Sequence, residues 1–222
     1  FAFGVVLDAK PESGDPSGLR SYAFFLLCGL LPWTFFSVSV TTAMSSVVSN
    51  GALVRKVAFP REHLVISTII AGLFTLAIEL SVLGIALLFA KNVILVWIPL
   101  IIVASLLLAA FATGIGLALA AGNVYFRDLT YLWGIVVQGW FFATPVVYPP
   151  GLIRGRDLPR WLIRACDNVP MAVVVRIYRN LMYDLRVPRL LDFGLLTIYA
   201  VVSLLAGWWI FDRVSGRFAE EL

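Results

Sequence analysis

Two stretches of the chain carry no charged side chain: 34 residues between Arg20 and Arg55, and 35 between Lys91 and Arg127. About 20 apolar helical residues cross the hydrocarbon layer of a bilayer, so each stretch is long enough to span. Polar punctuation divides the rest. Phe1 to Leu7 is an apolar stub, read as the remnant of a truncated first span, and Ala9 to Gly18 is a Pro- and Gly-rich loop. A second span is predicted over Tyr22 to Val47, stopped by Asn50-Gly51, residues that tolerate the left-handed backbone of a helix end. Leu64 to Ala90 forms a third span, and Lys91-Asn92 a hairpin turn into a fourth from Val93 to Ala121. Gly122 to Leu129 turns the chain again. Thr130 to Val147 is a fifth span, stopped by Tyr148-Pro149-Pro150-Gly151. Phe193 to Phe211 is the last, followed by a polar tail.

Two segments fit neither lipid nor a free loop. Ala52 to His63 alternates apolar and basic residues around Pro60 and belongs at the membrane surface. Gly151 to Asp192 sets eight arginines among short apolar groups, which predicts interfacial or re-entrant helices before the last span. The expected fold is an all-α integral membrane protein with about five complete transmembrane helices plus the truncated first, in a single domain over residues 1–222.

Composition sharpens that class: 61% of residues are apolar and 14% charged, against about 45–50% and 25% in soluble domains. The net charge of +4 comes from scattered cations with no tract of five, so nucleic acid is not an expected partner. Cys28 and Cys166 form no CxxC pair and His63 is the single histidine, which argues against zinc and against a Ser/His/Asp site. Lys10, Lys56 and Lys91 lack the glycine-rich phosphate cradle of a nucleotide-hydrolysing site. The chain is thus expected to be no enzyme and to hold no cofactor or metal, with any energy supplied by a partner.

If Ala52–His63 is cytoplasmic, alternation puts six cations inside and eleven outside, against the positive-inside rule. Eight of the eleven belong to the segment after Pro150; without it the count is six against three. A packed re-entrant hairpin, or arginines that meet an anionic substrate, reconciles the count with the orientation.

Several residues are candidates for chemistry. VRKVAFPREH (54–63) suits docking to a soluble ATPase, or is an ordinary interfacial turn that fixes orientation. Glu79, near the middle of the third span, must be neutral, paired or facing water, with Gln138 or Thr113 as possible hydrogen-bonding partners. Trp33, Phe35 and Phe36 on the second span, and Trp140, Phe141, Phe142 and Tyr148 on the fifth, are either interface anchors or a path along which sugar rings stack. Gly114 and Gly116 would admit a second helix at close range.

Five stretches, LLPWTFF (30–36), LVRKVAFPRE (53–62), NVYFRDL (123–129), TPVVYPP (144–150) and NVPMAVVVRIYRNLM (168–182), carry a resemblance in their order and spacing. The chain resembles the membrane subunit of polysaccharide-exporting ABC transporters, which handle O-antigen, teichoic acid and related lipid-linked glycans. Val169 stands between the asparagine and proline that are adjacent in the family pattern.

The resemblance implies a homodimeric permease of the cytoplasmic membrane, with ATP and Mg bound by a separate ATPase subunit. Arg55, Lys56, Phe59, Pro60, Arg61 and Glu62 would form the coupling helix that meets that subunit. Residues 151–192 would form gate helices on the far side, with Arg154, Arg156, Arg160 and Arg164 near headgroups or a pyrophosphate, whose oxygens a planar guanidinium pairs two at a time. Trp33, Phe35, Phe36, Glu79, Gln138, Trp140, Phe141, Phe142 and Tyr148 would line the glycan path. Fourteen arginines against three lysines hint at a GC-rich genome, in which a galactan precursor is a plausible cargo. An exporter of a drug or small lipid, and a membrane protein that modifies a glycolipid without moving it, are the alternatives.

Overall fold

The computed structural model describes residues 14, 17–19, 21–56, 59–90, 92–147, 167–216 and 218. The apolar stub Phe1–Leu7, Tyr148 and the arginines 154, 156, 160 and 164 lie outside them. Every regular element among the described residues is helical: α1 (Tyr22–Ser49), α2 (Gly51–Lys56), α3 (Glu62–Phe89), α4 (Ile98–Tyr125), α5 (Leu129–Ala143), α6 (Pro170–Tyr178) and α7 (Leu190–Ser215). One 3₁₀ turn, Leu95–Trp97, leads into α4, and a π-helical turn, Arg179–Asp184, continues α6.

Among the described residues four helices are long and apolar enough to cross a membrane: α1, α3, α4 with its leading turn, and α7. The expected fifth span is only the 15-residue α5, about 22 Å at 1.5 Å per residue against a hydrocarbon layer of ~30 Å. The last helix, expected to be barely long enough, has 26 residues. Its start moves back to Leu190 because Asp192 in its first turn is neutralised by Arg176, Nη2 to Oδ1 2.6 Å.

The stop after α1 falls where the sequence puts it, for a different reason. Asn50 is the break, but among the described residues only Leu185 and Gly18 have positive φ, so no left-handed cap is involved. The Asn50 side-chain amide donates to the Ser46 carbonyl at 2.8 Å while the Asn50 carbonyl accepts from Leu53 and Val54, so one helix ends and a short one starts at the same residue. α4 runs one turn past its expected end because Asn123 is buried: its amide donates to the Met44 carbonyl at 3.3 Å, and its Oδ1 accepts from the Thr130 hydroxyl at 3.0 Å.

The described residues fall into two compact units, and α1, α3, α4, α5 and α7 contribute to both. The first, Phe1–Trp33, Ala77–Ser105 and Trp140–Leu196, is built on α6. Pro170 takes the first helical position, where its missing N–H costs nothing, after Val169 as cap. Residues 171–183 are then buried almost throughout, Arg179 and Asn180 included, so an arginine that kept the segment from reading as a span is enclosed by the protein. Ser105 and Tyr178 share a hydrogen bond of 2.7 Å, and Asn92, the described half of the predicted hairpin turn, donates to the Met182 carbonyl at 3.0 Å.

The second unit, Thr34–Leu76, Leu106–Gly139 and Thr197–Leu222, centres on Phe36, stacked on Phe111 at 5.4 Å and edge-on to Trp133 at 6.5 Å. The predicted close approach at Gly114 is to α7: a methyl group added there would overlap the Ser203 backbone, and one on Gly207 would overlap the Gly114 carbonyl. Gly116 faces the Ala43 methyl instead.

Candidate transport site

The surface segment is short. α2 is a six-residue helix, Val57 and Ala58 lie outside the described residues, and Phe59 and Pro60 run into the turn at Arg61 that starts α3. Val54 is buried and anchors α2, whereas Leu53, Lys56 and Pro60 are exposed, and Phe59, Arg61 and Glu62 are half-exposed. Arg55 sits on α2 with its side chain outside the description. Glu62 occupies the first turn of α3, where the helix dipole favours an anion. The His63 ring lies 3.0 Å from the Pro60 carbonyl and closes the bend.

Arg61 has an intramolecular neighbour that the sequence did not announce. Its guanidinium lies 5.8 Å from the ring of Phe218, which is fully buried and makes edge contacts with Phe211 at 5.4 Å and Tyr125 at 6.4 Å. A residue of the expected polar tail thus packs beneath the surface segment. Phe218→Ala is expected to lower the thermal midpoint of the purified protein, by about 3 kcal/mol of stability from the lost ring, while Asp212→Ala, at an exposed position, leaves it unchanged; scanning fluorimetry in detergent reads both.

The aromatic candidates separate into two sets. Trp33, Phe35 and Phe36 are buried in the chain at 5%, 4% and 0% exposure. Trp140 and Phe141 are half-exposed and Phe142 is exposed, at the last residues of α5. In the first unit Trp33 joins them, edge-on to Trp140 at 6.4 Å and tilted against Phe141 at 5.4 Å. In the second unit the Trp133 indole N–H donates to the Thr41 hydroxyl at 3.2 Å.

α5 is otherwise sparsely covered: Trp133 is its one buried residue, and Gln138, Tyr131, Ile135 and Val136 are exposed. The neighbouring face of α1 is polar, with Thr41 and Thr42 exposed and Ser37 and Ser45 half-exposed. Each of these hydroxyls donates to a carbonyl three or four residues back, at 2.7–3.3 Å, which leaves each oxygen with acceptor capacity, part of it already taken at Thr41 by Trp133. Glu79 is half-exposed on α3, and Thr113 spends its hydroxyl on the Ala109 carbonyl of its own helix.

A family model described as ABC-2 type transporter matches residues 1–183. The chain belongs to the ABC-2 type transporter membrane family. Over 207 residues it is 34% identical to the O-antigen export system permease protein RfbA of Myxococcus xanthus, a match that covers 92% of this chain and 77% of that protein. Two O-antigen export permeases of Klebsiella pneumoniae are 27% and 26% identical, again over 92% of this chain and 77% of theirs.

As an ABC-2 type permease with several membrane-crossing helices, it is a multi-pass protein of the cytoplasmic membrane, and family membership implies a partnering ATPase subunit. Besides Phe218, three contributions of this ABC-2 chain escaped the sequence reading. The α1 hydroxyl face went unseen because Ser and Thr inside an apolar run read as neutral filler. Asn123 looked like part of a turn. Arg179 was one arginine among eight, and nothing in its immediate sequence marks it as 6% exposed.

Proposed function

We propose that this chain is the membrane-spanning subunit of an ATP-driven exporter that moves lipid-linked polysaccharide, of the O-antigen or galactan kind, across the cytoplasmic membrane. The observation that carries the reading is α5: too short to cross alone, with one buried residue, and presenting the amide of Gln138 outward. An exposed amide in a membrane helix is costly against hydrocarbon and favourable against water or sugar hydroxyls. Two copies of the chain would place such helices about a shared aqueous path, with Trp140, Phe141 and Phe142 for sugar C–H faces and the α1 hydroxyls for sugar O–H groups.

In this mechanism ATP and Mg bind the partner subunit. Closure of that subunit pushes on Ala52–His63 from the cytoplasm, with Arg55, Lys56, Phe59, Pro60, Arg61 and Glu62 as the contact. α1 and α5 would transmit the movement to the path, with Glu79 as a further candidate for its lining. The buried α6 with its π-helical turn is the described part of a re-entrant gate region, and Arg154, Arg156, Arg160 and Arg164 hold headgroup or pyrophosphate oxygens at the outer mouth.

Replacement in cells tests the reading. A strain lacking its own O-antigen permease, given this chain and its partner ATPase, is expected to show glycan at the cell surface and none accumulating inside. Internal accumulation of unmodified glycan, together with acquired resistance to an amphipathic drug, would instead identify a small-molecule exporter.

A further inference from the structure

Four described residues follow α5, and the backbone carbonyls of the last three are each held by a side chain from elsewhere in the first unit. Arg179 Nη1 donates to the Pro145 carbonyl at 2.7 Å, Arg179 Nη2 to the Val146 carbonyl at 2.6 Å, and the Tyr22 hydroxyl to the Val147 carbonyl at 2.7 Å. We propose that Arg179, assisted by Tyr22, is the positioning residue that terminates α5 and holds its Trp140–Phe141 end, so that movement of α5 reaches the glycan. The proposal deepens the export reading and rests on it for its functional consequence.

The need for such a residue follows from length. A helix leaves its last four carbonyls without intrahelical donors, and α5 ends after 15 residues, short of a full crossing. Chain leaving a helix inside the membrane must find its donors in the protein. The turn supplies little by itself: Thr144 N–H closes on Trp140 and Val146 N–H on Thr144, while Pro145 has no N–H to give. Two guanidinium N–H groups and one phenol supply donors to the carbonyls of residues 145–147 just beyond the helix, with the planar fork matched to two successive carbonyls.

The arginine is itself fixed. Its guanidinium lies 3.7 Å from the centroid of the Phe25 ring, and it stands against Gly29, where an added methyl group would come within 3.1 Å of Nη2. The guanidinium keeps its charge at neutral pH, as arginine does in proteins. Its backbone belongs to the π-helical turn Arg179–Asp184, where the widened helix redirects side chains. Arg176, three residues earlier, anchors the same helix to the Asp167 carbonyl at 3.0 Å and to Asp192. Arg179 thereby links the end of α5 to a helix fixed at its other side, and the Trp33, Trp140 and Phe141 rings sit on the last turn that it holds.

The test uses the full chain with its partner ATPase in proteoliposomes that contain the lipid-linked glycan. Arg179→Met, Arg179→Lys and Tyr22→Phe are compared with wild type for glycan moved per ATP hydrolysed, per assembled complex. Loss of charge-assisted hydrogen bonds predicts about a tenfold fall in that ratio for R179M, a smaller fall for R179K, which keeps the charge and one bond, and about twofold for Y22F, with ATP turnover near wild type. Wild-type ratios in all assembled variants, with losses confined to the amount of complex, would overturn the proposal. Should R179M fail to assemble, R179K and Y22F decide by the same ratio. Hydrogen exchange over residues 140–147 reads the positioning without any substrate. Faster exchange there in R179K and Y22F is expected, and unchanged exchange overturns it. A wild-type complex that moves no glycan sinks the export reading while the exchange result still decides the role of Arg179.

Discussion

Gly207→Val is expected to leave little folded protein. A methyl group on Gly207 would fall on the carbonyl of Gly114, and one on Gly114 would fall on the backbone of Ser203 and Leu204. Both obstacles are main chain in the middle of helices, so neither can yield by a rotamer change, and the larger isopropyl group must push α4 and α7 apart. Overpacking usually costs about 1–3 kcal/mol, and forced backbone separation sits at or beyond the upper end. At ~3 kcal/mol the thermal midpoint should fall by roughly 6–12 °C. The matched controls are Gly194→Ala on α7 and Gly139→Ala on α5, where an added methyl group meets nothing within 4 Å. Size-exclusion recovery and scanning fluorimetry in detergent check all three; a Gly207→Val protein as stable as Gly194→Ala would mean that α4 and α7 do not meet at these residues.

Arg61→Glu should uncouple the permease from its ATPase. Arg61 is half-exposed at the bend between α2 and α3, beside exposed Lys56 and half-exposed Phe59, with its guanidinium over Phe218. Reversal of one charge at a complementary interface typically costs a few kcal/mol, so partner-dependent ATP turnover should fall at least about tenfold. Phe59→Ala should fall in the same direction by loss of an apolar anchor, whereas His63→Ala, whose ring only closes the bend, should stay within about twofold. Copurification yield and ATP turnover of the same preparations measure the effect. Unchanged recovery and turnover for Arg61→Glu and Phe59→Ala together would remove Ala52–His63 from the coupling role and reverse the assigned orientation.

α1 and α4 were legible because a charge-free run of 34 or 35 residues has one stable solution in a bilayer, and α3 because Glu79 is the one charged residue in its apolar run from Leu64 to Ala90; all three fall within a few residues of their expected bounds. Their ends were less legible because long-range partners set them: Asn123 extends α4 through the Met44 carbonyl, and Arg176 makes Asp192 acceptable in the first turn of α7. α5 shows the limit of apolarity as a guide. Its composition suits a full span, yet Thr144 and Pro145 divert the chain, and the turn is held by Arg179 and Tyr22, side chains that lie far away in sequence.

The candidate site was legible by segment rather than by residue. Trp33, Phe35 and Phe36 sit beside one another in sequence, and a helix of 3.6 residues per turn sends neighbouring side chains in different directions. All three nevertheless find neighbours inside the chain, which no local pattern shows. The outward face of α1 falls to Thr41 and Thr42, whose hydroxyls are silent in any hydropathy reading.

The most direct measurement is ATP-dependent movement of lipid-linked glycan in vesicles that hold this chain and its partner ATPase, with the glycan loaded on the ATPase side and its arrival on the other side read by an impermeant glycan-cleaving enzyme. The export reading predicts cleavable glycan that accumulates only with hydrolysable ATP and only when both subunits are present. Glycan that stays protected while the assembled complex hydrolyses ATP would contradict it.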